Sequence, residues 1–301
     1  MPGLSDSSGA TLVTPSLLRE WPLPAPGQDK YSRGSVLVIG GARATPGAAL
    51  LAGTAALRAG AGKLTLAVAE SAAVQVGVAL PECGAIGLPE TADGSVKPEL
   101  DRISSSLEGA DTILVGPGLD DPDLAGQLLA ALLDGEAGRG GRPAVVLDAY
   151  ALSALVPLED KLEPWRGRLI LTPNLKEAAV LLGRDVDNLD EDLAEISDRF
   201  DAVVSCHGVV TQPSGLAAEE PALWKITTGY GGLGTSGSGD VLAGAIAGLR
   251  ARGTSSVQAA CWGTHLHASA GDRLASRLGP LGFLARELAD ELPALMLEFS
   301  V

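Results

Sequence analysis

Residues 228–253 read TGYGGLGTSGSGDVLAGAIAGLRARG, a glycine-rich loop that leads into an apolar helix. The six glycines between Thr228 and Asp240 allow the backbone to adopt positive φ angles and to approach a ligand closely. The residues from Val241 onward are apolar, rich in alanine and free of proline, and basic residues with Gly253 form an ordinary helix stop. The stretch therefore predicts a loop-to-helix junction with Asp240 where the helix begins.

A helix N-terminus that follows a glycine loop can bind an anion, and phosphate above all. Several backbone N–H groups point toward one place there, with the positive end of the helix dipole behind them. A carboxylate such as Asp240 could take the proton from an attacking hydroxyl, while the amides of Gly237, Ser238 and Gly239 hold the charge that develops on phosphate. The alternative is a flexible turn in which Asp240 serves only as the helix N-cap.

Composition excludes several classes of protein. The chain has 301 residues, of which 46% are hydrophobic and only 3% aromatic, so we expect a large core of Ala, Val and Leu with closely packed helices. Its 22 basic and 37 acidic residues give a net charge of −15, which argues against nucleic acids and anionic membranes as partners. No apolar run approaches the roughly 20 residues of a membrane span.

The N-terminus and the cysteines predict the compartment. Residues 1–10 lack the basic start and the apolar stretch of a signal peptide. Cys83, Cys206 and Cys261 are scattered and form no C-x-x-C motif. We therefore expect a cytoplasmic protein without structural disulfides or a zinc site.

Short apolar strands alternate with helices along the chain, a pattern typical of an α/β fold with a mostly parallel sheet. The predicted strands are residues 36–39, 64–68, 85–88, 112–115, 144–147, 169–171, 202–204, 209–211 and 223–226, and the predicted helices are residues 47–59, 124–133, 177–182, 189–200, 241–251, 256–278 and 283–295. We expect one domain over residues 34–301. Residues 1–33, with Pro22, Pro24 and Pro26, are expected to form a proline-rich leader that lies extended across the surface or acts as an arm to a neighbour.

Polar or glycine-rich segments follow several of these strands. They are Gly40-Gly41, residues 116–118, Asp148, Thr172-Pro173 and the late glycine loop. Ligands of an open parallel sheet bind outside the carboxyl ends of its strands. We therefore expect these five segments to converge on one cleft.

Other site motifs are absent or incomplete. The sequence around Gly62-Lys63 is not a P-loop, residues 40–47 do not have G-x-G-x-x-G spacing, and no G-x-S-x-G surrounds the serines near Asp240. His265 and His267 face different sides of a predicted helix, which makes them poor joint metal ligands, and we interpret them as ordinary polar helix residues. Cys206 and His207 point to opposite faces of a strand, so they do not form a convincing nucleophile–base pair.

Five segments together resemble the NAD(P)H-hydrate dehydratase family, the YjeF C-terminal type within the ribokinase-like superfamily. They are SVLVIGGARATPGAALLAGTAALRAGAGKLTLA (35–67), LVGPGLDD (114–121), VLDAYAL (146–152), LTPNLKEAAVLLG (171–183) and GYGGLGTSGSGDVLAGAIAGLRARG (229–253). The resemblance extends from Gly34 to the C-terminus, and GSGDVLAGAIAGL is its most specific part.

The resemblance implies a three-layer α/β/α ribokinase-like fold and a lyase that repairs hydrated NADH and NADPH. In this family a hydroxyl at C6 of the reduced nicotinamide ring is phosphorylated and then eliminated as phosphate. The stand-alone bacterial type typically uses ADP, which leaves AMP, whereas eukaryotic relatives use ATP. The resemblance further suggests Mg²⁺, whose ligands it does not identify, and a homotetramer.

Residue by residue, the resemblance makes Asp240 the base and Gly237, Ser238 and Gly239 the anion hole. The hydrate would contact Asp240 and three further residues, Ala48, Gly118 and Asn174. The adenine nucleotide would contact Gly239 and the run of Cys206, His207, Gly208, Val209 and Val210.

The chain departs from the usual family pattern at four places. Cys206-His207-Gly208 stands where a Lys-Gly loop is common, Asn174 replaces a histidine, Tyr150 replaces an aspartate, and Thr45 replaces a tyrosine. Two other functions therefore stay open. One is a small-molecule kinase of the same fold, and the other is a catalytically weakened nucleotide-binding protein.

Overall fold

A large, mostly parallel sheet runs through the middle of the computed structural model, which describes residues 9–25, 27–135, 143–216, 222–229 and 231–300. Within those residues the sheet has ten strands in the order β1-β10-β9-β8-β7-β6-β5-β2-β3-β4. The β9 strand is antiparallel to both of its neighbours, and the other pairs are parallel, which confirms the predicted sheet. The strands are Thr11–Val13 (β1), Ser35–Ile39 (β2), Lys63–Ala69 (β3), Gly84–Leu88 (β4), Thr112–Val115 (β5), Ala144–Leu147 (β6), Leu169–Leu171 (β7), Ala202–Cys206 (β8), Val209–Thr211 (β9) and Leu223–Ile226 (β10).

Helices cover both faces of the sheet. In β2, Val36 and Val38 pack into one hydrophobic cluster and Leu37 and Ile39 into the other, as the alternation of side chains along a strand requires. The first cluster is completed by Pro15–Glu20 (α1), Pro46–Arg58 (α2), Glu70–Ala79 (α3), Ser238–Ala251 (α9), Ser256–Leu278 (α10) and Ala285–Phe299 (α11), and the second by Ser104–Glu108 (α4), Pro122–Asp134 (α5), Tyr150–Leu155 (α6), Leu175–Leu182 (α7) and Leu189–Phe200 (α8). The three-layer α/β/α arrangement is confirmed.

Helices α2 and α9 approach each other until their backbones almost touch. A Cβ atom placed on Gly244 would lie 2.0 Å from the carbonyl oxygen of Ala52, and one on Gly248 would lie 2.3 Å from that of Ala56. The spacing of four residues on each helix forms a stripe of small residues along the contact. Close packing of this kind explains how a core with so few aromatic residues can be dense.

Five of the elements named above were missed by the sequence patterns, namely β1, α1, α3, α4 and α6. Strand β1 pairs in parallel with β10, with Leu12 opposite Lys225, and so extends the sheet. The carbonyl oxygen of Trp21 then accepts a hydrogen bond of 3.0 Å from Nε1 of Trp262 and one of 3.1 Å from Nε2 of Gln258. This part of the expected leader is therefore built into the fold by strand pairing and by hydrogen bonds to α10.

The proposed division of the chain into residues 1–33 and 34–301 stays a prediction. Residues 1–8 and Pro26 of the expected leader lie outside the described residues. Among the helices that the structure describes, none has the length and apolar character needed to cross a membrane.

Candidate active site

The strand order of the sheet reverses between β2 and β5. From β2 the chain runs outward through β3 and β4 and then returns to β5 on the other side of β2. Ligands of open α/β sheets bind at such a switch point. The loops after the two strands meet there, because the amide of Gly41 donates to Pro117 O and that of Ala42 to Gly118 O, both at 2.8 Å.

The structure brings together two of the residues predicted to contact the hydrate. Gly118 has a φ of +75°, and a Cβ atom at this position would lie 3.1 Å from Cβ of Ala48. The hydroxyl of Thr45 donates to Gly118 O at 2.8 Å and joins the loop after β5 to the start of α2. Ala48 and Gly118 therefore line one place, next to the N-terminus of α2.

Asp240 lies in the first turn of α9 and is not its N-cap. Gly237 takes the N-cap position with a φ of +86°, which favours glycine, and Asp240 is the third residue of the helix. The interpretation of Asp240 as a simple N-cap is therefore wrong. A Cβ atom on Gly237 would lie 2.5 Å from Cδ1 of Leu51, so the N-termini of α9 and α2 are neighbours.

The environment of Asp240 suits a base that works near neutral pH. Its side chain is half-buried, and desolvation raises its pKa to about 6. At Gly239 a Cβ atom would meet no other atom within 4 Å, so the backbone there is open to a ligand. The amide of Ser238 donates to Thr235 O at 3.2 Å, which leaves the amides of Gly237 and Gly239 as the principal candidates for the anion hole.

A second carboxyl group, on Asp148, was missed as a site residue although its strand end was expected in the cleft. Asp148 is only 6% exposed, and its Oδ1 accepts a hydrogen bond of 2.9 Å from the hydroxyl of Thr172. Burial, followed by the negative charges of Asp240 and Glu177, raises the pKa of Asp148 to about 7. The signal that could have identified it is an aspartate directly after a buried strand of a parallel sheet.

The raised pKa of Asp148 predicts a pH-dependent effect on stability. The folded protein keeps the Asp148 proton up to a pH of about 7, whereas the unfolded chain loses it near 3.8. Ionisation therefore favours unfolding as the pH rises through this window. We expect Asp148→Asn to be more stable than wild type by an amount that grows from pH 4 to about 7. Urea unfolding of both proteins in EDTA measures this difference, and a difference that does not change with pH would contradict it.

Asn174 caps α7 through Oδ1, one of the two polar atoms of its side chain. Its Oδ1 accepts from the amides of Lys176 at 2.9 Å and Glu177 at 3.1 Å, and Oε2 of Glu177 accepts from the amide of Asn174 at 2.9 Å. This is a capping box. The exposed Asn174 can therefore offer its amide nitrogen, as a hydrogen-bond donor, to a ligand at the end of β7.

The predicted nucleotide loop is the tight turn between β8 and β9. His207 and Gly208 have φ angles of +47° and +80°, as a two-residue hairpin turn requires. Only these two residues are accessible, since the side chains of Cys206, Val209 and Val210 are buried. Burial also raises the pKa of Cys206 to about 12, so its thiol stays protonated. A nucleotide could contact this turn through backbone groups and the His207 imidazole.

His267 is a second residue that the sequence patterns missed. The sequence indicates an ordinary polar helix residue, but His267 is only 7% exposed and its Nε2 lies 2.9 Å from Oγ of Ser238. The hydrogen bond joins α10 to the first turn of α9. A histidine within a predicted helix gives no sign of such a long-range contact.

The comparisons with known proteins identify the family of the chain. The model of the family described as NAD(P)H-hydrate dehydratase matches residues 36–294. An ADP-dependent (S)-NAD(P)H-hydrate dehydratase of Xanthomonas campestris pv. campestris is 42% identical over 289 residues, which cover 94% of this chain and 95% of that protein. The bifunctional NAD(P)H-hydrate repair enzyme Nnr of Moorella thermoacetica is 37% identical over 87% of this chain and 49% of that protein. The chain thus spans about half the length of this bifunctional relative.

Solved structures show the same fold. An ADP/ATP-dependent NAD(P)H-hydrate dehydratase of Bacillus subtilis, co-crystallised with ATP and Mg²⁺, has a TM-score of 0.75 and 25% identity over 97% of this chain and 100% of that chain. A ribokinase-like superfamily protein of Enterococcus faecalis has a TM-score of 0.79 and 21% identity over 100% of this chain and 99% of that chain. This similarity shows a common fold. From the family model and the similarity along nearly the whole sequence, the chain belongs to the NAD(P)H-hydrate dehydratase family.

Proposed function

We propose that this protein is an ADP-dependent (S)-NAD(P)H-hydrate dehydratase. The observation that carries the proposal is the position of Asp240, a half-buried carboxylate in the first turn of α9, whose N-terminus lies beside that of α2, where Ala48 meets Gly118. The reaction needs a base, an anion hole and a pocket for a nicotinamide ring in one place. The family relationship and the similarity to the Xanthomonas enzyme support this assignment.

Phosphoryl transfer is the first step of the proposed reaction. Asp240 takes the proton of the C6 hydroxyl, and the hydroxyl oxygen attacks the β-phosphorus of ADP. The bond between this phosphorus and the oxygen that bridges it to the α-phosphate breaks, which releases AMP. The amides of Gly237 and Gly239, with the dipoles of α9 and α2 behind them, stabilise the charge on the transferred group. Helix dipoles matter here because the protein carries a net charge of −15.

Elimination is the second step. Hydroxide is a poor leaving group, whereas phosphate departs readily with the electron pair of the C6–O bond. Loss of a proton from C5 then restores the ring double bond, so the net products are NADH or NADPH, AMP and phosphate. In this scheme Ala48, Gly118 and Asn174 hold the hydrate, and the turn with Cys206, His207, Gly208, Val209 and Val210 lies against the nucleotide.

Mg²⁺ fits this site as an ion that arrives with the nucleotide. Among the described residues, no group of three or more His, Cys, Asp or Glu could hold a metal ion. Mg²⁺ normally keeps several waters and binds through phosphates and one or two carboxylates. The carboxyl groups of the buried Asp148 and the half-buried Glu177 are the protein oxygens that would suit it, and the ion would neutralise charge on the phosphates.

Three finer expectations belong to the same proposal. We propose ADP rather than ATP as the preferred donor, because the Xanthomonas relative is named for ADP. The cytoplasm is the proposed compartment, where the cofactors to be repaired are abundant. A homotetramer is the proposed assembly, on the strength of the family resemblance.

A spectrophotometric assay tests the function. The S-hydrate of NADH is mixed with the protein and Mg²⁺, and ADP or ATP is added separately. We expect NADH absorbance to return, faster with ADP, and AMP to appear in equal amounts. A phosphorylated hydrate that accumulates without NADH would instead favour the small-molecule kinase. No return of absorbance with either nucleotide would contradict the proposed activity.

A further inference from the structure

Residues of helix α10 form hydrogen bonds to the start and to the end of the glycine loop. At the start, a carboxylate oxygen of Asp272 accepts a hydrogen bond from the hydroxyl of Thr228 and one of 2.7 Å from the amide of Gly229. At the end, Nε2 of His267 meets Oγ of Ser238 at 2.9 Å. Asp272 and His267 are five positions apart on one rigid helix, so the distance between the two anchors is set by α10.

Ser238 is the residue through which the His267 contact reaches the anion hole. It is the first residue of α9, between Gly237 and Gly239, and its side chain is 5% exposed. The glycines on both sides of Ser238 have no side chains to restrict their backbone φ and ψ angles. A hydrogen bond to Ser238 therefore decides much of the direction in which the neighbouring amides point.

His267 is suited to hold this hydroxyl as a neutral imidazole. Desolvation lowers its pKa to about 4, so it carries no charge at neutral pH. A nitrogen of the neutral ring can accept a hydrogen bond from the serine hydroxyl or donate one to it, depending on the tautomer. An uncharged partner also adds no cation that would compete with the nucleotide's Mg²⁺.

We propose that His267 is a positioning residue, which holds the Ser238 hydroxyl and thereby sets the geometry of the Gly237–Gly239 anion hole. The inference rests on the proposed phosphoryl transfer at Asp240. It assigns a chemical role to a buried histidine on a helix that contributes no residue to the predicted site. The role is indirect, since His267 acts through Ser238 and does not contact the substrate.

His265 offers a matched control two positions earlier on the same helix. It is 4% exposed and its pKa is also lowered to about 4, mainly by burial, but its ring packs edge-to-face on Phe299 with centroids 4.9 Å apart. It therefore shares the burial and chemistry of His267 without the contact to the glycine loop. Loss of either histidine costs packing, and only loss of His267 disturbs the anion hole.

The experiment compares His267→Leu, His267→Gln and His265→Leu with wild type. For each protein we would measure kcat, the KM of the NADH hydrate, the Kd of ADP by calorimetry, and the melting temperature. We expect His267→Leu to lower kcat by roughly 10- to 100-fold and to raise the Kd of ADP, with little change in the KM of the hydrate. His267→Gln should restore most of kcat, because its amide can reach Ser238. His265→Leu should keep kcat even if its melting temperature falls.

A double-mutant cycle with Ser238→Ala tests the route of the effect. If His267 acts through Ser238, the double variant should be no slower than the slower single variant. Multiplicative losses, or equal losses of kcat in His267→Leu and His265→Leu, would overturn the proposal.

The binding measurement separates this inference from the proposed function. If wild type regenerates no NADH, the dehydratase assignment fails, but ADP affinity can still be compared among the variants. Weaker ADP binding in His267→Leu than in His265→Leu would then support the positioning role. Equal affinities would reject it.

Discussion

Replacement of Asp240 by asparagine should reduce kcat by about 10²- to 10⁴-fold, the range that a positioned general base contributes. Asparagine keeps the size of the side chain and removes its ability to accept a proton. The wild-type kcat/KM should rise with pH through about 6, the pKa that burial gives Asp240, because the base must be ionised. The residual kcat/KM of Asp240→Asn should not show this rise with pH.

Stability separates this effect from misfolding. The pKa of Asp240 is raised by folding, so its ionisation lowers stability as the pH rises from 3.8 to about 6, and the full loss is present above that pH. Asp240→Asn should therefore melt at the same temperature as wild type or higher at pH 8. Asp123→Asn is the matched control, since Asp123 lies in the first turn of α5 and is exposed. Turnover by Asp240→Asn at more than a tenth of the wild-type rate would rule out the proposed base.

The Gly244→Ala variant should lose about 3 kcal/mol of unfolding free energy, the upper part of the range for overpacked sites. Its new Cβ would lie 2.0 Å from the carbonyl oxygen of Ala52, which belongs to backbone and cannot rotate away. Helices α2 and α9 would have to separate. Since these helices carry Ala48 and Asp240 at their N-termini, we expect activity to fall as well.

Gly126→Ala supplies the control for helix propensity. Gly126 lies within α5, and a Cβ there would meet no other atom within 4 Å. Alanine should therefore stabilise this helix by roughly 0.5–1 kcal/mol. Urea unfolding of both variants checks the contrast, and similar shifts in the two would show that the contact between α2 and α9 is looser than the structure indicates.

Much of the fold could be predicted because its signals are local. Strands such as β5 and β6 are short apolar runs bounded by glycine or proline, and helices α8 and α10 begin and end at the predicted residues. The elements that were missed have weak local signals. Strand β1 lies within the segment interpreted as a proline-rich leader, and α6 has only six residues, too few to show a helical period. Strand β1 is held by pairing with β10, and α6 by its buried residues.

The candidate site divides in the same way. Asp240, Gly118 and the turn at His207 could be found from sequence, since an aspartate at a helix start and glycines after strands are visible there. Asp148 and His267 owe their properties to neighbours far along the chain. The pKa of Asp148 depends on burial and on Asp240 and Glu177, and His267 matters because Ser238 lies beside it.

The α/β layering, the placement of polar and glycine-rich loops at the carboxyl edge of the sheet, and the family of the chain could all be inferred from the residues in order along the chain. These follow from period, glycine placement and motif order, which depend on neighbouring residues. Three other features became visible in the folded protein: Asp240 is the third residue of α9 rather than its cap, part of the leader joins the sheet, and α10 holds the glycine loop. These depend on which surfaces pack together, because burial and hydrogen bonding between distant segments are set by the whole fold.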